Sequence, residues 1–191
     1  MTKKSAGPGP DLSRLLLTPE AAARLDAHGG TDAGVLLPMY GWPDRPGLVF
    51  TERRSDLRRH AGEISFPGGR QEKPDEDLRS TALREAQEEI GLDPAQVELV
   101  GALPPIGTYV TSYKVHPFVG LIPEGLPLSP NPAEVETVLA FELEKLRGAY
   151  AMRRLVRRGV PFRTPTYEVD GQMIWGATGR ILQELLERLP A

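Results

Sequence analysis

Apolar and polar positions along the chain follow two different periods, which predict two kinds of element. Apolar runs bounded by glycine or proline predict strands at residues 33–40, 47–52, 97–103 and 115–122. Apolar residues at helical spacing predict a short helix at 19–28, a long helix at 75–90 and a C-terminal helix with Ile181 and Leu185 on its stripe. Asp170-Gly171 predicts a hairpin within 166–175. Strands mixed with helices in this order indicate an α/β layered domain.

The long predicted helix carries acids beside its apolar face. At about 100° per residue, one broad arc holds the apolar positions Leu78, Ala82, Leu83, Ala86 and Ile90. Glu85 and Glu89 project together on the neighbouring arc, and Glu88 lies one step further round. Like charges at this spacing repel, and a divalent cation such as Mg²⁺ or Mn²⁺ would offset the repulsion by binding the carboxylate oxygens. A solvated acidic face is the alternative interpretation of three glutamates alone.

A glycine turn precedes this helix. The turn Phe66-Pro67-Gly68-Gly69 has two adjacent glycines, which allow positive φ angles and leave the backbone uncovered by side chains. A polar linker at 70–75 leads into the helix, and Gly91 follows it as a residue suited to the left-handed position at a helix end. The turn, the linker and the helix therefore form one continuous unit at residues 66–92.

This unit resembles the signature of the Nudix hydrolases, which cleave a nucleoside diphosphate linked to another moiety with the help of a divalent metal. The family pattern is a glycine, five residues, a glutamate, seven residues and then Arg-Glu-apolar-any-Glu-Glu-any-Gly-apolar. Gly69, Glu76 and residues 84–92 match its fixed residue types. Six residues rather than five separate Gly69 from Glu76, so Asp75 is an alternative for the first acid. The resemblance implies the Nudix fold, an α/β/α sandwich around a mixed β-sheet.

The resemblance assigns metal binding to the acids of the helix. Under it, Glu85, Glu88 and Glu89 bind Mg²⁺ or Mn²⁺, and the Gly68 carbonyl supplies a further ligand. Metal ions there would neutralise the diphosphate, lower the pKa of bound water and stabilise charge on the transferred group. We therefore expect a metal-dependent pyrophosphohydrolase.

Further catalytic roles implied by the resemblance lie at the edge of the helix and in a later segment. Arg84 is expected to orient the glutamates, with Glu76 supporting it from across the loop. Many Nudix enzymes supply another carboxylate from the segment that here contains Glu134, although a solvated strand edge is the alternative for that residue. The general base is Glu85, Glu89 or Glu134, and the sequence leaves all three open.

The segment before the signature resembles the coenzyme A pyrophosphatase branch of the family. The usual form of that motif is Leu-Leu-Thr-any-Arg-(Ser/Ala), followed at three-residue intervals by Arg, Gly and Phe-Pro-Gly-Gly, and the spacings from Arg53 through Arg58 to Gly69 agree. Arg54 occupies the small-residue position, where it could alter a packing contact or add a phosphate contact. Arg53 and Arg58 are candidates for binding phosphate because a guanidinium can pair with its oxygens bidentately. Pairing with surface acids is the alternative.

The reaction favoured by this resemblance is hydrolysis of the pyrophosphate bond of coenzyme A or a derivative. It would give 4′-phosphopantetheine, or its acyl form, and adenosine 3′,5′-bisphosphate. Tyr113 is a candidate for lining the substrate cleft, with a packing role equally open. Another substrate such as ADP-ribose would keep the acids and alter the segments around them. A non-catalytic Nudix-like binding module would be expected to have lost a glutamate, and none is missing.

The composition narrows the classes of protein that are compatible with this sequence. The 191-residue chain has a formal net charge of -3 and no cysteine, so it offers no thiolate metal site and no electrostatic case for nucleic acid. No apolar run suits a signal peptide or a membrane span, so we expect a cytoplasmic enzyme without a membrane partner. Residues 1–11 are expected to form a disordered leader and residues 12–191 a single domain. Three roles are open for the basic segment 150–159: a solvated face, a homodimer contact or part of an anion site.

Overall fold

The computed structural model describes residues 10–56, 62–108, 112–157 and 159–190. The strands are Thr31–Tyr40 (β1), Gly47–Arg53 (β2), Ile64–Ser65 (β3), Gly68–Arg70 (β4), Glu98–Ala102 (β5), Ile106–Gly107 (β6), Tyr113–Leu121 (β7), Val135–Glu142 (β8), Tyr150–Arg157 (β9), Val160–Val169 (β10) and Gln172–Ile174 (β11). The α-helices are Pro19–Ala23 (α1), Leu78–Ile90 (α2), Leu143–Gly148 (α3) and Gly176–Arg188 (α4). In these described ranges no helix is long and apolar enough to cross a membrane. The leader predicted for residues 1–11 lies outside the described residues except for its last two positions.

Most strands belong to one mixed sheet at the centre of the protein. Its main path runs β3-β2-β1-β7-β5, with β4 attached to β1, β8 to β2 and β6 to β7. Strands β1 and β7 are parallel from the pair Thr31 and Tyr113 to the pair Met39 and Leu121, and the other pairings given for this sheet are antiparallel. A separate sheet in the order β11-β10-β9 contains the hairpin predicted within 166–175.

Alternating residues of the central sheet pack against helices on its two faces. Leu36 and Phe118 join the apolar side of α2 in one buried cluster. Leu37 and Val119, one position further along each strand, join α4 in the other cluster. Since adjacent residues of a strand point to opposite faces, α2 and α4 lie on opposite sides of the sheet. The predicted α/β/α sandwich around a mixed sheet is confirmed.

Two helices are shorter than their patterns predict. The central helix α2 begins at Leu78 rather than at residue 75, because the Asp77 side chain accepts a backbone N–H of the first turn at 2.8 Å and caps the helix there. It ends where Gly91 adopts the predicted left-handed conformation, with φ of 66°. The helix predicted at 19–28 is reduced to α1, and beyond it Asp26 forms an ion pair with Lys114 of β7 at 2.9 Å.

A glycine in β1 allows α2 to lie directly on the sheet. A Cβ built on Gly34 would lie 2.3 Å from the carbonyl oxygen of Leu78 and 3.2 Å from the Cβ of Thr81. Protein interiors are close-packed and do not accommodate a contact as short as the first of these without movement. The N-terminal half of α2 therefore keeps its position only while residue 34 has no side chain.

Replacing Gly34 with alanine should push α2 away from β1. We expect Gly34→Ala to lower the free energy of unfolding by about 1–3 kcal/mol, the usual cost of overpacking a core. Urea denaturation followed by circular dichroism measures the change. Gly148→Ala is the control, because a Cβ on Gly148 meets nothing within 4 Å. Equal stability of the two variants would contradict the prediction.

Candidate active site

The glycine turn brings a carboxylate of α2 against bare backbone. Strand β4 pairs with β1 so that Gly68 lies opposite Val35 and Gly69 lies opposite Gly34. A Cβ on Gly69 would lie 2.4 Å from Oε1 of Glu85, so the Glu85 carboxylate rests directly on the Gly69 backbone. The uncovered backbone of the turn is therefore the surface against which an acid of the helix packs.

Glu89 is the buried acid of the site, with 4% of its surface exposed. The Gly68 N–H donates to its Oε2 at 3.3 Å, and Nη1 of Arg53 lies 3.7 Å from its Oε1. Burial raises the pKa of Glu89 to about 8, because the carboxylate loses its hydration. The Arg53 charge opposes this rise, whereas the charges of Glu85 and Glu134 add to it. A further positive charge at this position would therefore stabilise the ionised form.

Arg84 is the cation at the outer edge of the acids. Its guanidinium lies 3.0 Å from Oε1 of Glu85 and 2.9 Å from Oε2 of Glu88, which is one helical turn away. Burial raises the pKa of Glu85, and the charge of Arg84 partly offsets that rise. The Glu88 side chain is 56% exposed, so of these two acids it is the freer to change partner. These contacts are the ones that an arginine orienting the glutamates would make.

In the structure Asp75, and not Glu76 as predicted, holds the Arg84 side chain. Oδ1 of Asp75 accepts the Nε–H of Arg84 at 2.9 Å, and Oδ2 accepts an Nη2–H at 3.1 Å. The hydroxyl of Thr81 and the N–H of Glu72 also donate to Asp75, at 3.0 and 2.9 Å. The hydrogen bonds from Arg84, with help from the other two, lower the pKa of Asp75 to about 2. Glu76 is exposed, between Asp75 and the helix cap Asp77.

A turn at residues 131–134, just before β8, is attached to the C-terminal end of α2. The N–H of Asn131 donates to the backbone carbonyl of Glu89 at 2.8 Å. Glu134 is exposed at the end of this turn, and its charge raises the pKa of both Glu85 and Glu89. The structure thus docks the turn that carries Glu134 on the end of α2, near enough for its charge to act on both acids.

The three residues predicted to bind substrate have different positions. Arg53 ends β2 beside Glu89, with its side chain 29% exposed. Tyr113 begins β7 and packs, half-buried, against the cluster on the α4 side of the sheet, so the structure does not bring it together with the acids of α2. Arg58 lies outside the described residues. Substrate contacts of all three stay predictions.

The contact between Arg53 and Glu89 was missed by sequence reasoning. Val49 of β2 packs in the α2 cluster, and alternation along the strand puts Arg53 on the same face. That alternation was an available signal. The pairing of β2 with β1 brings this face of β2 towards α2. The residue pattern of β2 alone does not reveal that pairing.

The acids have the chemistry of a divalent-cation site, although they are held by arginines. Within the described ranges, no three acidic or histidine side chains converge closely enough to hold a metal ion. Glu85 and Glu88 share Arg84, and Glu89 faces Arg53. Their donor atoms are all carboxylate oxygens, which Mg²⁺ and Mn²⁺ prefer. The ion pairs join flexible side chains, and a divalent cation can compete for the same oxygens. By the chemistry of their donor atoms the residues therefore fit such a cation, once it displaces the arginines.

The fold is an α/β/α sandwich, and its candidate site consists of glutamates of one helix packed against a glycine turn. Comparison with known proteins identifies the family that has this combination. A family model described as a NUDIX domain matches residues 32–159. The chain is 40% identical over 155 residues, 80% of each chain, to a protein named "Uncharacterized Nudix hydrolase NudL" from Escherichia coli O7:K1 (strain IAI39 / ExPEC). It is 41% identical over the same length and coverage to the protein of that name from Salmonella newport (strain SL254). The chain belongs to the Nudix family and is a Nudix hydrolase, an enzyme acting on nucleoside diphosphate derivatives.

Solved structures share the fold at low identity. The NUDIX domain of Shewanella oneidensis NrtR, solved with ADP ribose, has a TM-score of 0.55 and 16% identity over 88% of this chain and 94% of that one. A MutT/nudix family protein from Enterococcus faecalis has a TM-score of 0.52 and 14% identity over 83% of this chain and 60% of that one. At these identities the likeness concerns the fold alone.

Asp75 should stabilise the protein through its bonds with Arg84. Because folding lowers its pKa from 3.8 to about 2, this contribution is fully present above pH 3.8 and is lost as the pH falls through about 2. We expect Asp75→Asn to lower the free energy of unfolding at pH 7 by about 2 kcal/mol. The difference from the unchanged protein should shrink on acidification. Urea denaturation at several pH values measures both effects.

Glu76→Gln is the control for this prediction. Glu76 is exposed and stands beside Asp75 in the chain, so its replacement should leave the free energy of unfolding nearly unchanged. A larger loss of stability from Glu76→Gln than from Asp75→Asn would reverse the assignment of the two acids.

Proposed function

We propose that this chain is a metal-dependent pyrophosphohydrolase whose substrate is coenzyme A or one of its derivatives. The products would be 4′-phosphopantetheine, or its acyl form, and adenosine 3′,5′-bisphosphate. The observation that carries the reaction type is the buried carboxyl of Glu89, whose pKa of about 8 reflects burial and the nearby charges of Glu85 and Glu134. Acids held together against their repulsion suit a site for a divalent cation and a polyanionic substrate.

The residues that would hold Mg²⁺ or Mn²⁺ are Glu85, Glu88 and Glu89, together with the Gly68 carbonyl. When bound, the metal supplies positive charge that neutralises the diphosphate and lowers the pKa of a water molecule. Arg84 orients Glu85 and Glu88 from the outer side, and an aspartate of the linker fixes Arg84 in turn. Side chains that hold metal ligands in place, as Arg84 would, commonly change the affinity for the metal without binding it themselves.

We assign the acceptance of a proton from the attacking water to Glu134. The oxygens of Glu85 and Glu89 are engaged by arginines, and Glu89 also accepts a backbone N–H. Glu134 is exposed, and its charge acts on both acids. A general base must reach the proton that it abstracts, and of the three candidates Glu134 is the one whose carboxylate faces solvent.

The coenzyme A assignment rests on the segment that leads into the glycine turn. Arg53 and Arg58 stand at the spacing that resembles the coenzyme A branch, and Arg53 lies beside Glu89 with part of its side chain exposed. A guanidinium has several N–H donors in a fixed fork, so Arg53 can contact a phosphate oxygen while it keeps the carboxylate. Coenzyme A carries a 3′-phosphate that ADP-ribose lacks, and an additional cation near the site would favour it.

Another nucleoside diphosphate derivative, such as ADP-ribose, is the competing substrate class. The acids of α2 would serve either substrate, because they act on the pyrophosphate that both contain. The two classes differ in what flanks the pyrophosphate, so only the segments around the acids distinguish them.

Glu89→Gln keeps the shape of the side chain and removes its charge. Groups outside the metal ligands typically account for about 10–100-fold in activity, so loss of a ligand should lower kcat/KM by about 100-fold or more. Mg²⁺ should also cease to raise the melting temperature. The fold should survive without metal, since burial already favours the neutral form of Glu89. Turnover assays and thermal denaturation with and without Mg²⁺ measure these effects.

Glu187→Gln is the matched control, because Glu187 is an exposed glutamate of α4, on the opposite face of the sheet. This variant should keep both the turnover and the stabilisation by Mg²⁺. Wild-type turnover by Glu89→Gln at limiting Mg²⁺ would contradict the metal assignment.

Coenzyme A should be cleaved with a higher kcat/KM than dephospho-coenzyme A or ADP-ribose. Losing a charge-assisted hydrogen bond costs about 1.5–3 kcal/mol, so the preference over dephospho-coenzyme A should be about tenfold or more if the 3′-phosphate is contacted. Turnover of the three compounds, with identification of the products by mass spectrometry, measures the preference. Equal rates on the first two would point to the pantetheine arm instead, and faster cleavage of ADP-ribose would remove the coenzyme A assignment.

A further inference from the structure

The turn that carries Glu134 is held by an arginine without a role in the proposed reaction. Nη1–H of Arg54 donates to the carbonyl oxygen of Pro132. The backbone N–H of Arg54 donates to the carbonyl oxygen of Glu134 at 3.1 Å. Arg54 is therefore joined to the turn at two points, one of which depends on its side chain.

Asp56 fixes the direction of the Arg54 guanidinium. Nε of Arg54 donates to Oδ1 of Asp56 at 2.8 Å, and Nη2 donates to Oδ2 at 2.6 Å. A two-point pair of this kind sets the plane of the guanidinium. Nη1 is left to meet the Pro132 carbonyl, so the three groups form one continuous hydrogen-bonded connection between the end of β2 and the turn.

The other end of the turn is held by α2. The N–H of Asn131 donates to the carbonyl of Glu89 at 2.8 Å, and the carbonyl of Asn131 accepts the N–H groups of Glu134 and Val135 at 3.1 and 2.9 Å. The side-chain oxygen of Asn131 accepts the N–H of Ala133 at 3.0 Å. The turn is thus closed on itself, anchored to α2 at its first residue and to Arg54 at its second and fourth.

We propose that Arg54 is a positioning residue, whose side chain holds the turn so that the Glu134 carboxylate stays beside Glu85 and Glu89. This inference rests on the proposed function, in which Glu134 accepts a proton. Without the Arg54 side chain, the Pro132 carbonyl loses this donor, and of the two bonds from Arg54 to the turn only the backbone one is left. A turn held at fewer points opens more readily, and the Glu134 carboxylate then leaves its position near the acids.

Two other roles for Arg54 lead to different results. If Arg54 contacts a phosphate of the substrate, its loss raises KM. If it forms only a surface ion pair with Asp56, its loss changes little, since exposed pairs contribute little to stability. In the positioning role kcat falls while KM is unchanged, because Glu134 acts only as the water attacks.

The first test compares Arg54→Ala with Arg54→Lys and with a matched control. Arg54→Ala should lower kcat by about tenfold or more, as expected when a catalytic group is displaced, and should shift the melting temperature by no more than about 4 °C. Arg54→Lys should recover part of kcat, because an ammonium can reach the Pro132 carbonyl but cannot make the two-point pair with Asp56. Arg45→Ala is the control, since Arg45 pairs with Glu142 near the opposite end of β2 and should keep full kcat.

The second test combines Arg54→Ala with Glu134→Gln. If Arg54 acts through Glu134, the double variant should have the kcat of Glu134→Gln alone. Losses that multiply, or a change confined to KM, would overturn the inference. Full kcat in Arg54→Ala beside an impaired Glu134→Gln would overturn this inference and leave the proposed function standing. Full kcat in Glu134→Gln would remove Glu134 from the proposed reaction and overturn this inference, while metal-dependent turnover that still needs Glu89 would leave the pyrophosphohydrolase assignment standing.

A third measurement does not depend on activity. Hydrogen–deuterium exchange reports the opening of the hydrogen bonds that the N–H groups of Ala133, Glu134 and Val135 make within the turn. These amides should exchange faster in Arg54→Ala than in Arg45→Ala or the unchanged protein. Unchanged exchange in Arg54→Ala would show that the side chain does not hold the turn, and would overturn the inference.

Discussion

Helix α2 lies on glycine backbone at two points, and this close approach governs the site. Gly34 of β1 allows the first turn of the helix to touch the sheet, and Gly69 of β4 leaves room for the Glu85 carboxylate. A helix held this close carries Glu89 out of water, where one backbone N–H and Arg53 are its polar partners. The raised pKa of Glu89 is thus a consequence of how tightly the helix packs.

Acids assembled this closely require positive charge around them. Arg84 supplies it on the outer side and is itself held by Asp75, while Arg53 supplies it from the end of β2. The next residue in the chain, Arg54, contacts the 131–134 turn instead. Adjacent arginines therefore have separate tasks: one balances the charge of a buried acid, and the other fixes the backbone that carries Glu134. In the proposed reaction a divalent cation would supply part of this positive charge.

The features that local chemistry controls were predicted well. Ala82, Ala86 and Ile90 of the apolar arc of α2 are buried, Leu78 and Leu83 are partly buried against them, and Gly91 ends the helix in a left-handed conformation. The strand predicted at 33–40 corresponds to β1, and the strand predicted at 115–122 to β7, each within two residues at either end. Apolar periodicity and turn glycines act over a few residues, so a sequence contains them directly. The signature in residues 66–92 indicated the family for the same reason, since its spacing lies within one continuous segment.

Local sequence patterns therefore account for the family, the central helix and the set of acids, whereas the partners of those acids depend on how the whole chain folds. Spacing left Asp75 and Glu76 as alternatives, and the path of the linker brought Asp75 to Arg84. Arg53 meets Glu89 because β2 pairs with β1 beneath α2. Such contacts join residues distant in sequence. They depend on strand order and loop path, to which residues far along the chain contribute, so no local pattern contains them.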